Sequence, residues 1–347
     1  MVSLSNAHGE LVEPCVLCGK TPVFSQALQD REGPPMTLRN LAAAILFAGL
    51  LAGNWTPLRA QHPTDGMEWM FANLRPSGQP VIPIFDGWYQ KADGSYDLCF
   101  GYFNLNTKES LDIPLGTDNF IEPKRFDGAQ PTHFMPVPGP PNLYRRYFCT
   151  FPVNVPADFG KTERVVWTLR ERGKTYSVPG HLGSINYRIQ ELSAKEAGRS
   201  SAAPLIKFLP DGPEGRGRSG VKAGPITVAA GSALPLTLSV TGPPSVIGPG
   251  GVMDADDDEE RPYIRNGKTR AWWVVWAKHQ GPGDVTFSPP SVDLWKGDTS
   301  TASTKATFSA PGNYVLRVQA IDNPGENGSY QFHCCWTNGY VNVSVTK

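Results

Sequence analysis

Charge imbalance is the first thing this sequence lacks. Its 347 residues hold 32 Lys and Arg against 32 Asp and Glu, so the formal net charge is zero. A chain that tracks a phosphate backbone or adheres to an anionic membrane carries a basic excess or a basic stripe, and neither is present. A long apolar run is missing too. The longest, Leu41 to Gly53, spans 13 residues, whereas a helix crossing a bilayer needs about 20. No Gly-x-Ser-x-Gly elbow exposes a serine nucleophile, and no Gly-rich phosphate loop follows a strand. The six histidines are dispersed without the spacing of zinc or copper ligand sets. His133 stands near Met135, His181 and His279 stand alone, and His333 adjoins Cys334, on whose opposite face it would lie in a strand.

Turn chemistry is what the sequence has in quantity. With 36 Gly, 33 Pro and nine Trp, it reads as a β-rich globular protein rather than a helical bundle, and its length suits two domains of about 100–150 residues. An address precedes them. From Met36 the chain runs MTLRNLAAAILFAGLLAG, a basic n-region with Arg39 followed by the short apolar run. Ala60 stands where a signal peptidase can cut, although Leu58 occupies a position where a small residue is preferred. No cysteine follows the run to carry a lipid anchor. We therefore expect a signal peptide at residues 36–60 and a mis-called extension at residues 1–35, whose Cys15-x-x-Cys18 pair has no second pair or histidine nearby.

Four cysteines remain beyond Ala60: Cys99, Cys149, Cys334 and Cys335. An even count in an exported chain is compatible with disulfides. Of the three pairings, Cys99–Cys149 is favoured because both residues lie in strand-like segments of one domain. The adjacent Cys334 and Cys335 either bridge each other or stay reduced.

Residues 61–79 read as a lead-in and 80–189 as a first β-sandwich. Val81 to Phe85 suits an edge strand, because Pro83 cannot donate to a central ladder. A turn at Asp93-Gly94 leads into Tyr96 to Phe103, aromatic on both faces, where Gly101 marks a bulge or a close approach. A long Pro- and Gly-rich stretch fills 104–141, and loops of that length are often functional. Tyr147 to Phe151 returns to strand, and Val165–Leu169 with Thr175–Val178 forms a hairpin around Arg172-Gly173. Residues 190–224, polar and small except for an apolar island at Leu205–Leu209, read as a flexible linker.

A second sandwich is expected over 225–347. Leu234, Leu236, Leu238 and Val240 alternate with smaller or polar residues, and Trp272–Trp276 is a thick central strand. Ala310-Pro311-Gly312-Asn313 turns into Tyr314–Asp322, where Tyr314, Leu316, Val318 and Ala320 face inward and Val315, Arg317 and Gln319 outward by the two-residue period. The chain closes on Val341-x-Val343-x-Val345. These residues, above all Phe308, Gly312, Tyr314 and Val318, make residues 222–347 resemble a polycystic-kidney-disease-type or cadherin-like repeat of the immunoglobulin-like class. The Trp-Asp-Phe-Gly-Asp-Gly motif of the former is replaced here by Trp276 followed by Ala277-Lys278-His279-Gln280-Gly281. The resemblance implies a non-catalytic module of extracellular proteins that spaces, adheres or assists a partner. The first domain resembles bacterial exported proteins of unknown function.

Two constellations invite a ligand. Carboxylates in a loop can supply several of the six to eight oxygens calcium takes, and Asp254, Asp256, Asp257 and Asp258 provide such a run. Cadherin-like sandwiches bind calcium at their ends, so the resemblance implies that Asp322 completes the set; the plainer reading is a solvated charge run. Trp88, Tyr89 and Tyr102, with Tyr144 and Tyr147, suit a flat platform for sugar rings, with His133 nearby, or else simply pack a core. A glycosidase would need two carboxylates across a cleft, for which Asp112, Asp118 and Glu122 are nominees only.

The sequence therefore reads as an all-β, two-sandwich, exported protein: a non-catalytic binding or structural module of the periplasm or extracellular space. Its partner would be a protein or a polysaccharide. The alternatives are a carbohydrate-binding accessory protein and, third, a secreted hydrolase using the 104–141 region. Peptide mass mapping of the natural protein is expected to begin after Ala60. Any peptide from residues 1–35 would contradict that reading.

Overall fold

The computed structural model describes residues 75–136, 146–189, 203–242, 264–297, 300–322 and 336–347. The expected signal peptide, the acidic run, Tyr144, and Cys334 with Cys335 lie outside these residues, and of Asp322 only the backbone is described.

The first sandwich opens with a hairpin of β1 (Val81–Gln90) and β2 (Tyr96–Asn104). Three short strands follow, β3 (Leu111–Asp112), β4 (Asn119–Glu122) and β5 (His133–Phe134), then β6 (Tyr147–Val155), β7 (Val165–Glu171) and β8 (Lys174–Gly180). One sheet has the order β1-β2-β6, the other β4-β7-β8, and β3 pairs with β5. The stretch read as one long loop thus contributes three strands, each too short to show a period. β1 lies at a sheet edge, where Pro83 is tolerated. At Gly101 the β2–β6 register shifts, and a Cβ there would sit 2.1 Å from the Tyr147 carbonyl oxygen, so only glycine permits the approach. Between the sheets Phe100 stacks on Phe151 at 5.5 Å, and both meet Trp167 edge-on. The indole N–H of Trp167 donates to Asn119 Oδ1 at 3.0 Å, so the buried ring keeps its polar atom partnered.

The second sandwich begins earlier than the composition suggests. Its strands are β9 (Leu205–Phe208), β10 (Glu214–Gly215), β11 (Val221–Ala229), β12 (Ala233–Thr241), β13 (Ile264–Arg265), β14 (Lys268–Gln280), β15 (Val285–Ser288), β16 (Ser291–Trp295), β17 (Thr301–Phe308), β18 (Gly312–Asp322) and β19 (Trp336–Thr346). One sheet runs β10-β9-β12-β17-β15; the other runs β11-β19-β18-β14-β13, with β16 also on β14. The chain enters in the first sheet as β9 and crosses to the second as β11, which lies parallel to β19. That layout is an immunoglobulin-like sandwich. Residues 205–224, read as linker, are therefore structural: the island is β9, whose Ile206 and Phe208 point into the core. Four residues are too few for their alternation to stand out against the polar sequence around them.

The segment from Phe308 to Ala320 packs as its pattern predicts on the inner side. Tyr314 meets Phe308 at 4.9 Å, donates its hydroxyl proton to the Ala310 carbonyl and accepts the Gly283 amide. Its ring lies against Gly281, where a Cβ would come within 2.0 Å, so the glycine after His279-Gln280 makes room for the tyrosine.

On the outer side the pattern misleads. Arg317 and Gln319 are 7% and 4% exposed, because the first sandwich covers them. Residues 63–347 form one compact unit. The amide of Asn338 donates to the carbonyls of Cys149 and Arg218, and Tyr340 Oη donates to the Thr150 carbonyl at 2.9 Å. Lys278 Nζ reaches Asp112 at 2.8 Å, and the Thr132 amide donates to the His279 carbonyl. Cys99 and Cys149 are bridged, with their Cα atoms 4.8 Å apart, and the bridge packs beside Tyr89, Phe148, Ile321 and Trp336. The disulfide closes a 50-residue separation, a constraint on the unfolded chain worth about 2–4 kcal/mol. Urea unfolding of the Cys99→Ser/Cys149→Ser double variant should show a loss of that order, and an unchanged midpoint would contradict the bridge.

Candidate functional site

Where the two sandwiches meet they leave a cleft of about 660 Å³, within the range that encloses small-molecule ligands, about 300–1,000 Å³. β6 supplies Phe151 and Val153 to its wall, and β18 and β19 supply Val315 and Tyr340. Ser219 and Gly220 enter from the turn before β11, and His279 and Gln280 from the end of β14. These positions are fixed by the docking described above, because no single strand carries the site.

Three cations stand around the opening: Lys91 beyond β1, Arg125 in a 3-10 turn (Lys124–Phe126), and Lys222 on β11. None of the three forms an ion pair among the described residues. The Arg125 guanidinium lies 4.6 Å over the Phe126 ring. Asp97 is the one carboxylate in the lining among the described residues. It is 2% exposed and accepts hydrogen bonds from Tyr89 Oη at 2.9 Å, Ser219 Oγ at 2.5 Å and Asn154 Nδ2 at 2.8 Å. The carboxylate thus ties β1, β2 and β6 to the turn before β11, and its oxygens are engaged.

His279 sits at the back of the cleft. Burial pushes its pKa down to about 4, helped by the Arg317 charge and opposed by a hydrogen bond to the Ala129 carbonyl. The ring is neutral at neutral pH. Nε2 carries the proton, since it faces that carbonyl at 2.8 Å, leaving Nδ1 as the acceptor nitrogen. On the other flank of the docking surface, burial raises Asp86 to about 6 against the pull of Arg146, the Cys149 amide and Arg218. Asp86 is paired with Arg146 and accepts the Cys149 amide at 2.7 Å. Arg218 lies 4.2 Å from the Trp336 ring.

The aromatic residues read as a sugar platform do not share a face. Tyr89 is buried among the disulfide and Trp336, whereas Tyr102 belongs to the core of the first sandwich, its hydroxyl accepting the Met135 amide. Trp88 is half-buried, donates to the Ser184 carbonyl at 3.1 Å and lies edge-on to Tyr96. Tyr147 packs 5.0 Å from Tyr102. The reason is the same for each: the second sandwich or a 3-10 turn covers a surface that alternation alone assigns to solvent. His133 binds Asp112 through Nδ1 at 2.9 Å, and the same carboxylate oxygen holds Lys278, so Asp112 is occupied in joining the two sandwiches. Asp118 and Glu122 are exposed and take no part in the cleft. Among the described residues no group of three His, Cys, Asp or Glu side chains converges as a metal would require. Asp322 ends β18 with its backbone opposite Trp272; the other expected calcium ligands lie outside the described residues.

The cleft residues Lys91, Arg125 and Lys222 were not legible as a group. They come from three segments far apart in sequence, one of them in the stretch read as linker. A faint signal existed: Arg317 and Gln319, framed by apolar neighbours on a thick central sheet, fit a covered polar face as well as a wet one.

No protein-family model matches the chain, and no curated protein matches it. Among solved structures it is similar to domains 4 and 5 of the S-layer protein SbsC, at 12% identity and a TM-score of 0.21, over 56% of this chain and 69% of that one. It is also similar to the D0-D1 domain of intimin, at 11% identity and a TM-score of 0.21, over 77% of this chain and 98% of that one.

The two shifted groups give opposite pH signatures. Asp86 holds its proton more tightly folded than unfolded, so its contribution to stability is full below about pH 4 and is lost as pH rises through 6. His279 binds its proton less tightly when folded, so its contribution is full above about pH 6.5 and is lost as pH falls through 4. Each is on the order of 3 kcal/mol across its window, and over pH 4–6 they offset. Relative to the parent, denaturant unfolding of Asp86→Asn should show stability gained as pH rises from 4 to 6, and of His279→Gln stability lost. Curves displaced in parallel would contradict both assignments.

Proposed function

We propose that this chain is an exported, non-catalytic binding module that holds its ligand between two rigidly docked sandwiches. The observation carrying the reading is the cleft itself. It is built by both sandwiches, lined by apolar and fixed polar groups, and bordered by cations that form no ion pair among the described residues. Sites for small ligands favour such junctions between domains. Export is supported by the buried Cys99–Cys149 bridge, since disulfides persist in oxidising compartments, and by the signal-like segment from Met36. The resemblance of the second sandwich to polycystic-kidney-disease-type and cadherin-like repeats fits the same role, with that sandwich as the frame against which the first is set.

A carbohydrate-binding accessory role is the nearest variant of this reading. It moves from the aromatic residues of β1 and β2, which are used in packing, to the cleft. The hydrolase reading loses its nominees, because Asp112 is engaged with His133 and Lys278 and because Asp118 and Glu122 are exposed apart from the cleft.

The test is retention of material from the native envelope or culture fluid on the immobilised full chain. Retention competed away by free chain, with the retained material unaltered, is the expected outcome. Absence of competable retention, or release of new polymer ends during incubation, would contradict a non-catalytic binding role.

A further inference from the structure

We infer that the cleft takes an acidic oligosaccharide, a short run of sugar rings bearing carboxylates. The inference rests on reading the chain as a binding module and names the chemistry of what it binds. Charge comes first. Among the described residues Lys91, Arg125 and Lys222 face the opening without ion-pair partners, against one lining carboxylate, Asp97, which is buried and accepts three hydrogen bonds. A concave site with low-dielectric walls focuses that excess of three cations over one carboxylate on whatever enters, although the whole chain is neutral. The ligand is therefore an anion.

Hydroxyl chemistry comes second. Asn342 is exposed in the lining with an amide that donates and accepts, and Gln280, whose Nε2 is held by the Gly128 and Gln130 carbonyls, presents Oε1 as an acceptor. Paired donors and acceptors suit hydroxyl groups, which need both. The partly exposed apolar side chains of the lining, Phe126, Pro152 and Val315, suit the C–H faces of sugar rings.

An extended acidic peptide fits less well. Peptides are commonly held by adding a strand to a free sheet edge. The two edges bordering the cleft, β6 and β11, carry Pro152 and Pro225, which remove donors from the ladder and blunt such pairing. A volume of about 660 Å³ also suits a compact ligand of a few rings.

Titration calorimetry of the full chain with trigalacturonate, its methyl ester and triglutamate separates the possibilities. Trigalacturonate should bind, more weakly as salt is raised, with the methyl ester and triglutamate at least tenfold weaker. Lys91→Gln, Arg125→Gln and Lys222→Gln should each weaken trigalacturonate roughly three- to tenfold, in the range of a partly exposed charge contact. The triple variant should abolish binding with a melting temperature close to the parent's, because none of these side chains forms an ion pair among the described residues and the Arg125–Phe126 contact is at the surface. Equal binding of the methyl ester would overturn the requirement for charge, and equal or tighter binding of triglutamate would assign the cleft to acidic peptides instead. Undiminished binding by the triple variant would remove the site from the cleft. Absence of trigalacturonate binding would overturn the acidic-sugar assignment, while competable retention of envelope material by the same chain would leave the binding-module reading standing.

Discussion

Everything in the architecture depends on one covered polar face. The outer surface of β14, β18 and β19 carries His279, Arg317, Gln319, Asn338 and Tyr340, residues that would sit in water on an isolated immunoglobulin-like sandwich. Here they are buried under the first sandwich. Burying such groups costs free energy unless they find partners; those of His279, Asn338 Nδ2 and Tyr340 come from β6 and the loops before it, through the carbonyls of Cys149, Thr150 and Ala129 and the amide of Thr132, while Arg317 donates to Gln319 within the face. A contact of this kind is specific in a way an apolar one is not. Sliding one sandwich by a single strand spacing would strand several donors and acceptors at once.

That specificity is what lets two domains make a site. The cleft's cations belong to β1's end, a 3-10 turn and β11, and they share one opening only while the sandwiches keep their register. Asp97 and Ser219 sit on the seam of this arrangement, with the carboxylate of one sandwich accepting from the hydroxyl of the other. The disulfide adds rigidity just behind them, holding β6 against β2 at the point where Trp336 packs. The same burial that fixes the interface shifts Asp86 and His279 in directions that compensate across mildly acidic pH, so the docked form holds there without either group dominating.

How much of this the sequence disclosed follows from what alternation can and cannot express. The all-β class, the inner residues of β18 from Tyr314 to Ala320, the edge position of β1, the close approach at Gly101 and the Cys99–Cys149 pairing come from local patterns, the immunoglobulin-like second sandwich from the resemblance carried by Phe308, Gly312, Tyr314 and Val318, and the structure has them. The start of the second sandwich escapes a local reading because Leu205–Phe208 is a four-residue strand inside a polar stretch. The site was harder still. A two-residue period says which side chains share a face, never what covers that face, so Tyr89 and Tyr102 read as a platform when each is packed from above. Lys91, Arg125 and Lys222 have no mutual spacing to notice, since only tertiary docking brings them to one rim.

The central claim is that the two sandwiches are one cooperative body rather than beads on a flexible tether. Differential scanning calorimetry of the chain beginning at residue 61, with the disulfide intact, tests it most directly. A single transition whose calorimetric and van't Hoff enthalpies agree is the predicted result. Two resolved transitions, each with the heat of one sandwich, would contradict it, and with it the idea of a ligand cleft held in shape between them.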